Sequence, residues 1–575
     1  MLRQRSLAPL LSVVALVAIA LFAPATGFAT PATAPSATGA AAGPPAKPAS
    51  GSTTVPAKPI AFPATAPAAS SAVERLQTRI AALLNSPDLA HGFWGIEVAS
   101  LATGEALYSQ NSGMLFTPAS NTKLFTTAAA LALIGPDYKF RTTVETTGTL
   151  DRYGRLNGDL VLVGHGDPNL SGRELPYDGK TQRNDDALLA LEALADALVK
   201  KGVKFVDGDI VADDSYFAFE RYGEGWSQDD LVWADGAPVS ALTVNDNVVF
   251  VKILPADRPG EKAFVSLNPF ADYYRIDNRI VTTPAGTGRR FFVNREPGST
   301  VVTLWGNLPL DDPGTTEALA IEEPAEFAAG LFRQLLEKRG IAIYGHERTR
   351  HTELASLSTF TATAIAPSRG GSGDDAGRPF DRPMRIDQPI TLASYESKPL
   401  VDDVRVINKV SQNLHAEILL RLLGRERGNA GSVEGGLEVM RQFLTQAGIA
   451  GDQYAFYDGS GLSRQNLVTP QAIVKLLRYA SSQPWGAAYE SSFPLAGVDG
   501  SLAERLTSPR LQKRVMAKTG SLTGVRTLSG YATTDSGQKV VFSIMSNNLN
   551  LPAKRVTDTI DGIVQAIVED TPAAK

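Results

Sequence analysis

The stretch Pro118–Leu131 reads PASNTKLFTTAAAL and places Ser120 three residues before Lys123, at the head of an apolar run. The apolar run predicts a helix, and residues three apart on a helix lie on one face within contact distance. A serine hydroxyl becomes nucleophilic when a base takes its proton, and lysine can be that base when burial keeps its amine partly neutral. The stretch therefore fits a serine nucleophile with a lysine base, or a helix start with a surface lysine.

The Ser-x-x-Lys spacing does not decide between these readings. It occurs a second time, at Ser536 and Lys539, and about one or two chance matches are expected in a chain of this length. The second match lies in a polar turn predicted between two strands, so its serine and lysine would not share a helix face. Context favours the first match.

Two further elements strengthen that interpretation. Ser-x-Asn occurs four times, but only Ser411-Gln412-Asn413 begins a predicted amphipathic helix and lies between Ser120 and the third element. The third element, Lys518-Thr519-Gly520, occurs once, on a strand predicted to run antiparallel to residues 528–533. Its glycine allows a ligand to approach the backbone closely. Ser-x-x-Lys, Ser-x-Asn and Lys-Thr-Gly in this order are typical of penicillin-recognising serine enzymes.

Other chemistries find little support in the sequence. The chain has five histidines and no cysteine, and no two histidines form a His-x-x-x-His or His-x-His pair. We predict no metal and no other cofactor. His415, on a predicted amphipathic helix, is interpreted as a partly buried structural residue.

The N-terminus predicts export. Met1–Ser6 carries two arginines, residues 7–22 are almost wholly apolar, and small residues follow up to Ala29. This order predicts a cleaved secretory signal over residues 1–29; a retained anchor is the alternative, for which the apolar run is short. Residues 30–71, rich in Ala, Pro, Ser and Thr, predict a spacer. The mature protein is expected to be soluble outside the cytoplasm, with no membrane-spanning segment.

The charge balance bears on partners. The net charge of −5 gives no sign of the basic surface that a nucleic-acid partner would require. The last helical stretch, residues 553–570, has an acidic and neutral polar face, whereas a helix lying on a membrane is usually basic. We therefore predict that it packs on the core.

The folded part divides into three segments. Residues 73–140 and 385–575 read as α/β, with helical spacing at 401–423, 435–447 and 470–481, and a β-rich region at 141–384 separates them. A single domain interrupted by an insertion is the economical interpretation. Two independent flanking domains are the alternative.

Over residues 75–570 the sequence resembles the class C penicillin-binding proteins, which are secreted D-alanyl-D-alanine carboxypeptidases that also act as endopeptidases. The shared text includes PASNTK, GDLVLVGHGDPNL, APVSALTVNDN, NKVSQNLHAE, YDGSGLSRQNLVTP and AKTGSL. The resemblance implies an α/β (α+β) penicillin-recognising serine transpeptidase-like domain, with an antiparallel sheet, helices on both its faces and an all-helical part. It also implies a two-domain β-rich insertion, with an inner domain at about 236–310.

The resemblance also implies roles for named residues. Ser120 would form the acyl-enzyme with Lys123 as base, Ser411 would relay the proton, and Asn413 would orient the acyl amide and Lys123. The other implied residues line the substrate: Lys518 and Thr519 at its carboxylate, Gly520 beside it, the N–H groups of Ser120 and Ser521 in an oxyanion hole, and Asp213 from the insertion at the lip of the site.

The implied partners are peptidoglycan peptides as substrate and β-lactams as inhibitors. A β-lactamase-like hydrolase and a non-catalytic cell-wall binding protein are the alternatives. The sequence offers no dedicated glutamate for fast hydrolysis of an acyl-enzyme, and it retains Ser120, Lys123 and Lys518, whose loss would mark a degenerate site.

Overall fold

The computed structural model of the chain describes residues 72–179, 183, 186–357 and 388–572. The predicted signal and spacer lie outside the described residues. So does most of the stretch 367–389, which is rich in glycine and proline.

Helices occur at both ends of the described chain, including the helical stretch expected at residues 553–570. Helices α1 to α10 span Ala72–Leu84, Thr122–Leu133, Leu189–Lys200, Pro324–Lys338, Leu400–Lys409, Asn413–Arg427, Val433–Gln446, Pro470–Ser481, Gly486–Ser491 and Ala553–Asp570.

Strands dominate the middle of the chain, as expected for residues 141–384. Strands β1 to β24 span Phe93–Ser100, Ala106–Gln110, Lys139–Thr146, Thr149–Leu150, Arg155–Asn157, Leu160–Val163, Asp167–Leu170, Phe205–Val206, Ile210–Ala218, Leu242–Val244, Val248–Leu254, Phe264–Asn268, Arg275–Thr283, Arg290–Asn294, Val301–Pro309, Thr315–Ala320, Ala342–Ile343, Glu347–Thr352, Ile390–Pro399, Tyr454–Ala455, Leu467–Val468, Val515–Leu522, Val525–Thr533 and Lys539–Asn547.

The main sheet is antiparallel, has the order β2-β1-β24-β23-β22 and is covered on both faces. Successive side chains of a strand point to opposite faces. In β24, Phe542 and Ile544 therefore pack with α1 and α10, while Val541 and Met545 pack with α2 and α8. This arrangement confirms the predicted antiparallel sheet with helices on both faces. It leaves β22, which carries Lys518-Thr519-Gly520, at one edge.

The β-rich region between the two α/β segments starts and ends on paired strands. β3 and β19 pair antiparallel within a second five-stranded sheet, β18-β9-β6-β3-β19. Smaller sheets, β17-β8-β5-β4, β12-β11-β16 and β13-β15-β14, share a hydrophobic core with α3 and α4. We refer to this part, from β3 to β19, as the inserted region.

The helical stretch predicted over residues 401–423 is interrupted. α5 ends at Lys409 and α6 begins at Asn413. Between them Ser411 has φ = 67°, in the left-handed region that L-residues avoid and that no α-helix can include. The helical spacing over residues 401–423 therefore belongs to two helices, and the second begins at Ser411-Gln412-Asn413, where a helix start was predicted. Ser411 and Asn413 thus lie at the junction of the two helices.

No helix among the described residues combines the length and the apolar character needed to cross a bilayer.

Candidate active site

Ser120 lies in a single turn that is pressed against the edge of the main sheet. The 3-10 turn Ala119–Asn121 precedes α2, and Ala119 has φ = 49°. Asn121 Nδ2 donates to the Lys518 carbonyl at 3.0 Å, and Thr527 Oγ1 donates to the Pro118 carbonyl at 3.0 Å. Strands β22 and β23 thus hold the serine turn in a left-handed conformation that costs free energy on its own.

Lys123 lies one turn further along and points back to the serine, as the spacing predicts. Its Nζ donates to Ser120 Oγ at 2.9 Å, to Asn413 Oδ1 at 2.6 Å and to the Ser460 carbonyl at 2.6 Å. All three acceptors are uncharged. The side chain is fully buried.

This environment disfavours the charged form of Lys123. Burial lowers its pKa to about 8, against the attraction of the Asp458, Glu417 and Asp235 carboxylates, which acts in the opposite direction. Near neutral pH about a tenth of such lysines is a neutral amine. That fraction can accept a proton from Ser120.

The Ser460 carbonyl is positioned by a buried loop, residues 458–463. Asp458 accepts from the backbone N–H of Gly461 at 2.8 Å and of Ser463 at 2.6 Å, and from Trp226 Nε1 of the inserted region at 3.0 Å. One carbonyl of this glycine-rich loop thus contacts Lys123 directly.

Glu417 of α6 fixes the same loop from the other side. Its Oε1 accepts from the N–H groups of Gly459 at 2.9 Å and Ser460 at 2.8 Å, and its Oε2 pairs with Arg421 at 3.1 Å. The sequence analysis missed this residue. A carboxylate in an apolar helix, with an arginine four residues later, was the available signal, since such a residue is rarely buried without a partner.

Ser411 faces Lys518 across the site. Lys518 Nζ donates to Ser411 Oγ at 2.8 Å and to the Thr519 carbonyl at 2.8 Å, and the side chain is fully buried. Burial, reinforced by repulsion from Lys123, lowers the pKa of Lys518 well below its ordinary value. A ligand carboxylate would supply the missing negative charge.

Asn413 joins this group to the inserted region. Its Oδ1 accepts from Lys123, and its Nδ2 donates to the Asp235 carbonyl at 2.8 Å. The amide orientation is therefore determined by a cation on one side and a carbonyl on the other.

Strand β22 offers a free edge beside Ser120. A Cβ on Gly520 would lie 2.2 Å from Thr527 Oγ1 and 2.7 Å from the Pro118 carbonyl, so the position requires glycine. The Ala517 N–H donates to the Pro494 carbonyl, on the side of β22 away from β23. Because N–H groups alternate along a strand, those of Thr519 and Ser521 point to the same outer side. Ser521 itself is exposed.

Asp213 is not joined to this group by any hydrogen bond or ion pair within the described ranges. It lies on β9, where Oδ2 pairs with Arg350 at 2.8 Å and Oδ1 accepts from the Ser215 N–H at 3.0 Å. Its role at the lip of the site stays a prediction. Its neighbour Asp214 contacts Ser240 and His351.

The second Ser-x-x-Lys match forms no site. Ser536 and Lys539 lie at the turn between β23 and β24, and Lys539 Nζ pairs with Glu490 at 2.8 Å instead of with the serine. The preference for the match at Ser120 is consistent with this geometry.

Comparison with known proteins agrees with the motif order. The model of the D-Ala-D-Ala carboxypeptidase 3 (S13) family matches residues 76–358 and 381–567, which is most of the chain. The chain belongs to this family. The D-alanyl-D-alanine carboxypeptidase of Actinomadura sp. is 35% identical to this S13 member over 496 residues, 84% of this chain and 83% of that protein.

A second relative and a solved structure extend the comparison. The D-alanyl-D-alanine carboxypeptidase DacB of Haemophilus influenzae is 27% identical over 461 residues, 78% of this chain and 84% of that protein. The crystal structure of penicillin-binding protein 4 (DacB) from Haemophilus influenzae matches with a TM-score of 0.69 and 24% identity, over 85% of this chain and 99% of that one. The S13 member is a serine-type carboxypeptidase with the penicillin-recognising fold.

Proposed function

We propose that this protein is an exported serine D,D-peptidase that cuts peptidoglycan stem peptides after a D-alanine through an acyl-enzyme on Ser120. It removes the terminal D-alanine as a carboxypeptidase, cleaves D-alanine cross-links as an endopeptidase, or does both, and penicillins acylate the same serine. The observation that carries the proposal is Lys123, a fully buried lysine with uncharged acceptors only, 2.9 Å from Ser120 Oγ.

Acylation begins when Ser120 Oγ attacks the carbonyl carbon of the D-alanyl bond and its proton passes to Lys123 Nζ. The carbonyl oxygen becomes an oxyanion, which the backbone N–H groups of Ser120 and Ser521 stabilise. The tetrahedral intermediate then collapses. Its C–N bond breaks as Ser411 gives its hydroxyl proton to the leaving amine and takes up the proton held on Lys123 Nζ. The released D-alanine or cross-linked peptide departs, and Lys123 is neutral again.

Substrate orientation follows from charge. Lys518, buried and contacted by two uncharged oxygens, pairs with the terminal carboxylate of the peptide, and Thr519 Oγ1, which lies 2.7 Å from Ser501 Oγ, adds a hydroxyl. The extended peptide lies along the outer edge of β22, where added strands gain main-chain hydrogen bonds. Water then hydrolyses the ester on Ser120 and regenerates the enzyme.

Names of similar proteins support the substrate class. Both relatives described above are called D-alanyl-D-alanine carboxypeptidases, and a Haemophilus influenzae penicillin-binding protein 4 structure contains a bound β-lactam. The predicted signal peptide supports export, since this substrate lies outside the cytoplasm.

The test uses a fluorescent penicillin with the mature protein. We expect one label per chain, lost in Ser120→Ala and retained in Ser536→Ala, which removes the serine of the other Ser-x-x-Lys match. Mass analysis of cross-linked and uncross-linked muropeptides after incubation would then identify which bond is cut. Release of the label within seconds would indicate a β-lactamase. A protein that neither takes the label nor cuts either muropeptide would contradict the proposal.

A further inference from the structure

Asp246 lies in the segment ALTVNDN of the inserted region, directly behind the Ser411–Asn413 junction. Gln412 Nε2 donates to Asp246 Oδ2 at 3.2 Å, and His415 Nε2 lies 3.2 Å from Asp246 Oδ1. Both partners belong to the segment that carries the two Ser-x-Asn residues. The inserted region therefore reaches this segment through one carboxylate.

Arginines of the inserted region hold that carboxylate in place. Arg173 Nε donates to Asp246 Oδ2 at 3.0 Å, and both Arg173 and Arg183 pair with the same oxygen through a terminal nitrogen. On the far side, His415 Nδ1 lies 2.6 Å from Asp403 Oδ1. Burial alone would raise the pKa of Asp246, but the two arginines and His415 hold it well below its usual value.

The backbone around Asp246 has an unusual conformation that neighbouring hydrogen bonds hold in place. Asn245, Asp246 and Asn247 have φ values of 51°, 57° and 51°, three consecutive residues in the left-handed region. Asn245 Nδ2 donates to the Val248 carbonyl at 2.8 Å and Asn247 Nδ2 to the Pro238 carbonyl at 2.8 Å. Strained residues of this kind persist where the surrounding contacts over-determine them.

The segment that Asp246 contacts is strained as well. Ser411, at φ = 67°, precedes Gln412, whose Oε1 accepts from the Leu414 N–H at 3.0 Å and caps α6. The side-chain amide of Gln412 thus links the start of α6 to Asp246, with its oxygen on the helix and its nitrogen on the carboxylate. Without that bond, the junction keeps its cap but loses the contact between Gln412 and the inserted region, and the contacts of Asn413 with the Asp235 carbonyl and of His415 with Asp246 remain.

We propose that Asp246 is a positioning residue: through Gln412 and His415 it holds the junction so that Ser411 meets Lys518 and Asn413 meets Lys123. The inference rests on the proposed acyl-transfer function. The inserted region would thus influence the acylation rate constant without contacting the reacting atoms.

Asp246→Asn tests the inference, because it preserves the shape of the side chain and removes the negative charge that Gln412 and His415 contact. The reaction of a fluorescent penicillin should show an acylation rate constant at least about tenfold lower, since displacements near 1 Å cost up to a hundredfold. The dissociation constant of the initial non-covalent complex should change less than twofold. A residue with only a structural role would not separate these two constants in a folded protein.

The matched control is Glu322→Gln, which breaks another buried ion pair of the inserted region, to Arg295 at 2.5 Å. It should acylate within twofold of the wild type. If Asp246→Asn does not fold, Gln412→Met removes only the bridge and should slow acylation about fivefold.

Two results would overturn the inference. One is a folded Asp246→Asn or Gln412→Met variant that acylates at the wild-type rate. The other is a Glu322→Gln variant that slows as much as they do. An unlabelled wild type would contradict the proposed function, and this inference with it, whereas a labelled wild type with unchanged variants contradicts the inference alone.

Discussion

Two buried clusters, each containing a cationic side chain, lie on either side of the Ser411–Asn413 junction. They differ in the groups that contact these side chains. The Lys123 cluster comprises Lys123 and its acceptors Ser120, Asn413 and the Ser460 carbonyl. The Asp246 cluster comprises Asp246, Arg173, Arg183, His415, Asp403 and Gln412. In the first cluster the cation meets dipoles only. In the second, each cation contacts a carboxylate.

This difference in contacts gives the two clusters different roles: the first suits proton transfer, and the second stabilises the structure. Burial without a contacting carboxylate lowers the pKa of Lys123 to about 8 and makes it a usable base. Burial would likewise lower the pKa of His415, but Asp403 and Asp246 outweigh that effect and raise it. A paired buried cation stays charged and stabilises an arrangement, whereas an unpaired one can exchange a proton.

The largest expected effect is that of Lys123→Met. Loss of the base should lower the penicillin acylation rate constant by about a thousandfold. The free energy of unfolding should not fall, because a buried cation without a contacting carboxylate is replaced by an apolar chain. Labelling kinetics and urea denaturation of the same preparation check both statements. Acylation at the wild-type rate would remove Lys123 from the mechanism.

Arg173→Met, in the Asp246 cluster, should destabilise the fold, unlike Lys123→Met. It takes a direct partner from a buried carboxylate, so the free energy of unfolding should fall by about 3 kcal/mol. Urea denaturation beside Lys123→Met provides the matched pair. Equal losses in the two variants would show that the clusters do not differ as described.

Asn413→Asp would make the Lys123 cluster resemble the Asp246 cluster. A carboxylate against Nζ raises the pKa of Lys123, typically by one to three units, so acylation at pH 7 should fall at least about tenfold. Because the lysine would still deprotonate at higher pH, the rate should recover as pH rises. A loss that is the same at every pH would mean that Asn413 acts only through geometry.

The pH profile of the unaltered protein is the smallest effect. With a pKa of about 8 for Lys123, the neutral amine grows from about a tenth to about nine-tenths between pH 7 and 9, and the acylation rate constant should rise about ninefold. The sign follows from the base being the deprotonated form. A rate constant that falls over this range would contradict the assignment.

Much of the site was predictable because its residues stand in short, ordered motifs. Ser120 with Lys123, Ser411 with Asn413, and Lys518 with Gly520 were each named from spacing and local context. In the structure Lys123 bonds Ser120 and Asn413, and Lys518 bonds Ser411. Gly520 lies against the turn that carries Ser120. A helix start at Ser411-Gln412-Asn413 was predicted, but the end of the preceding helix at Lys409 was not, since apolar periodicity continues across the break and a positive φ leaves no mark on that pattern.

For Asp213, by contrast, a role was predicted that its contacts in the structure do not display. Its place was inferred from resemblance alone, and in the structure its carboxylate pairs with Arg350 inside the inserted region. Asp246, in the segment APVSALTVNDN that received no predicted site residue, is the residue whose carboxylate contacts Gln412 at the Ser411–Asn413 junction.

The sequence by itself determined which serine and lysine are the candidate nucleophile and base, and the order of the three motifs, because these depend on residue type and on separations of two or three positions. Only the tertiary structure decided what surrounds Lys123. Its third acceptor is the Ser460 carbonyl, 337 positions away along the chain, and that carbonyl is fixed by Asp458 and Glu417. Local sequence cannot specify such a contact, since the pKa of a buried lysine depends on which dipoles and charges the whole fold brings within reach. The same lysine in PASNTK would remain an ordinary surface cation without that enclosure.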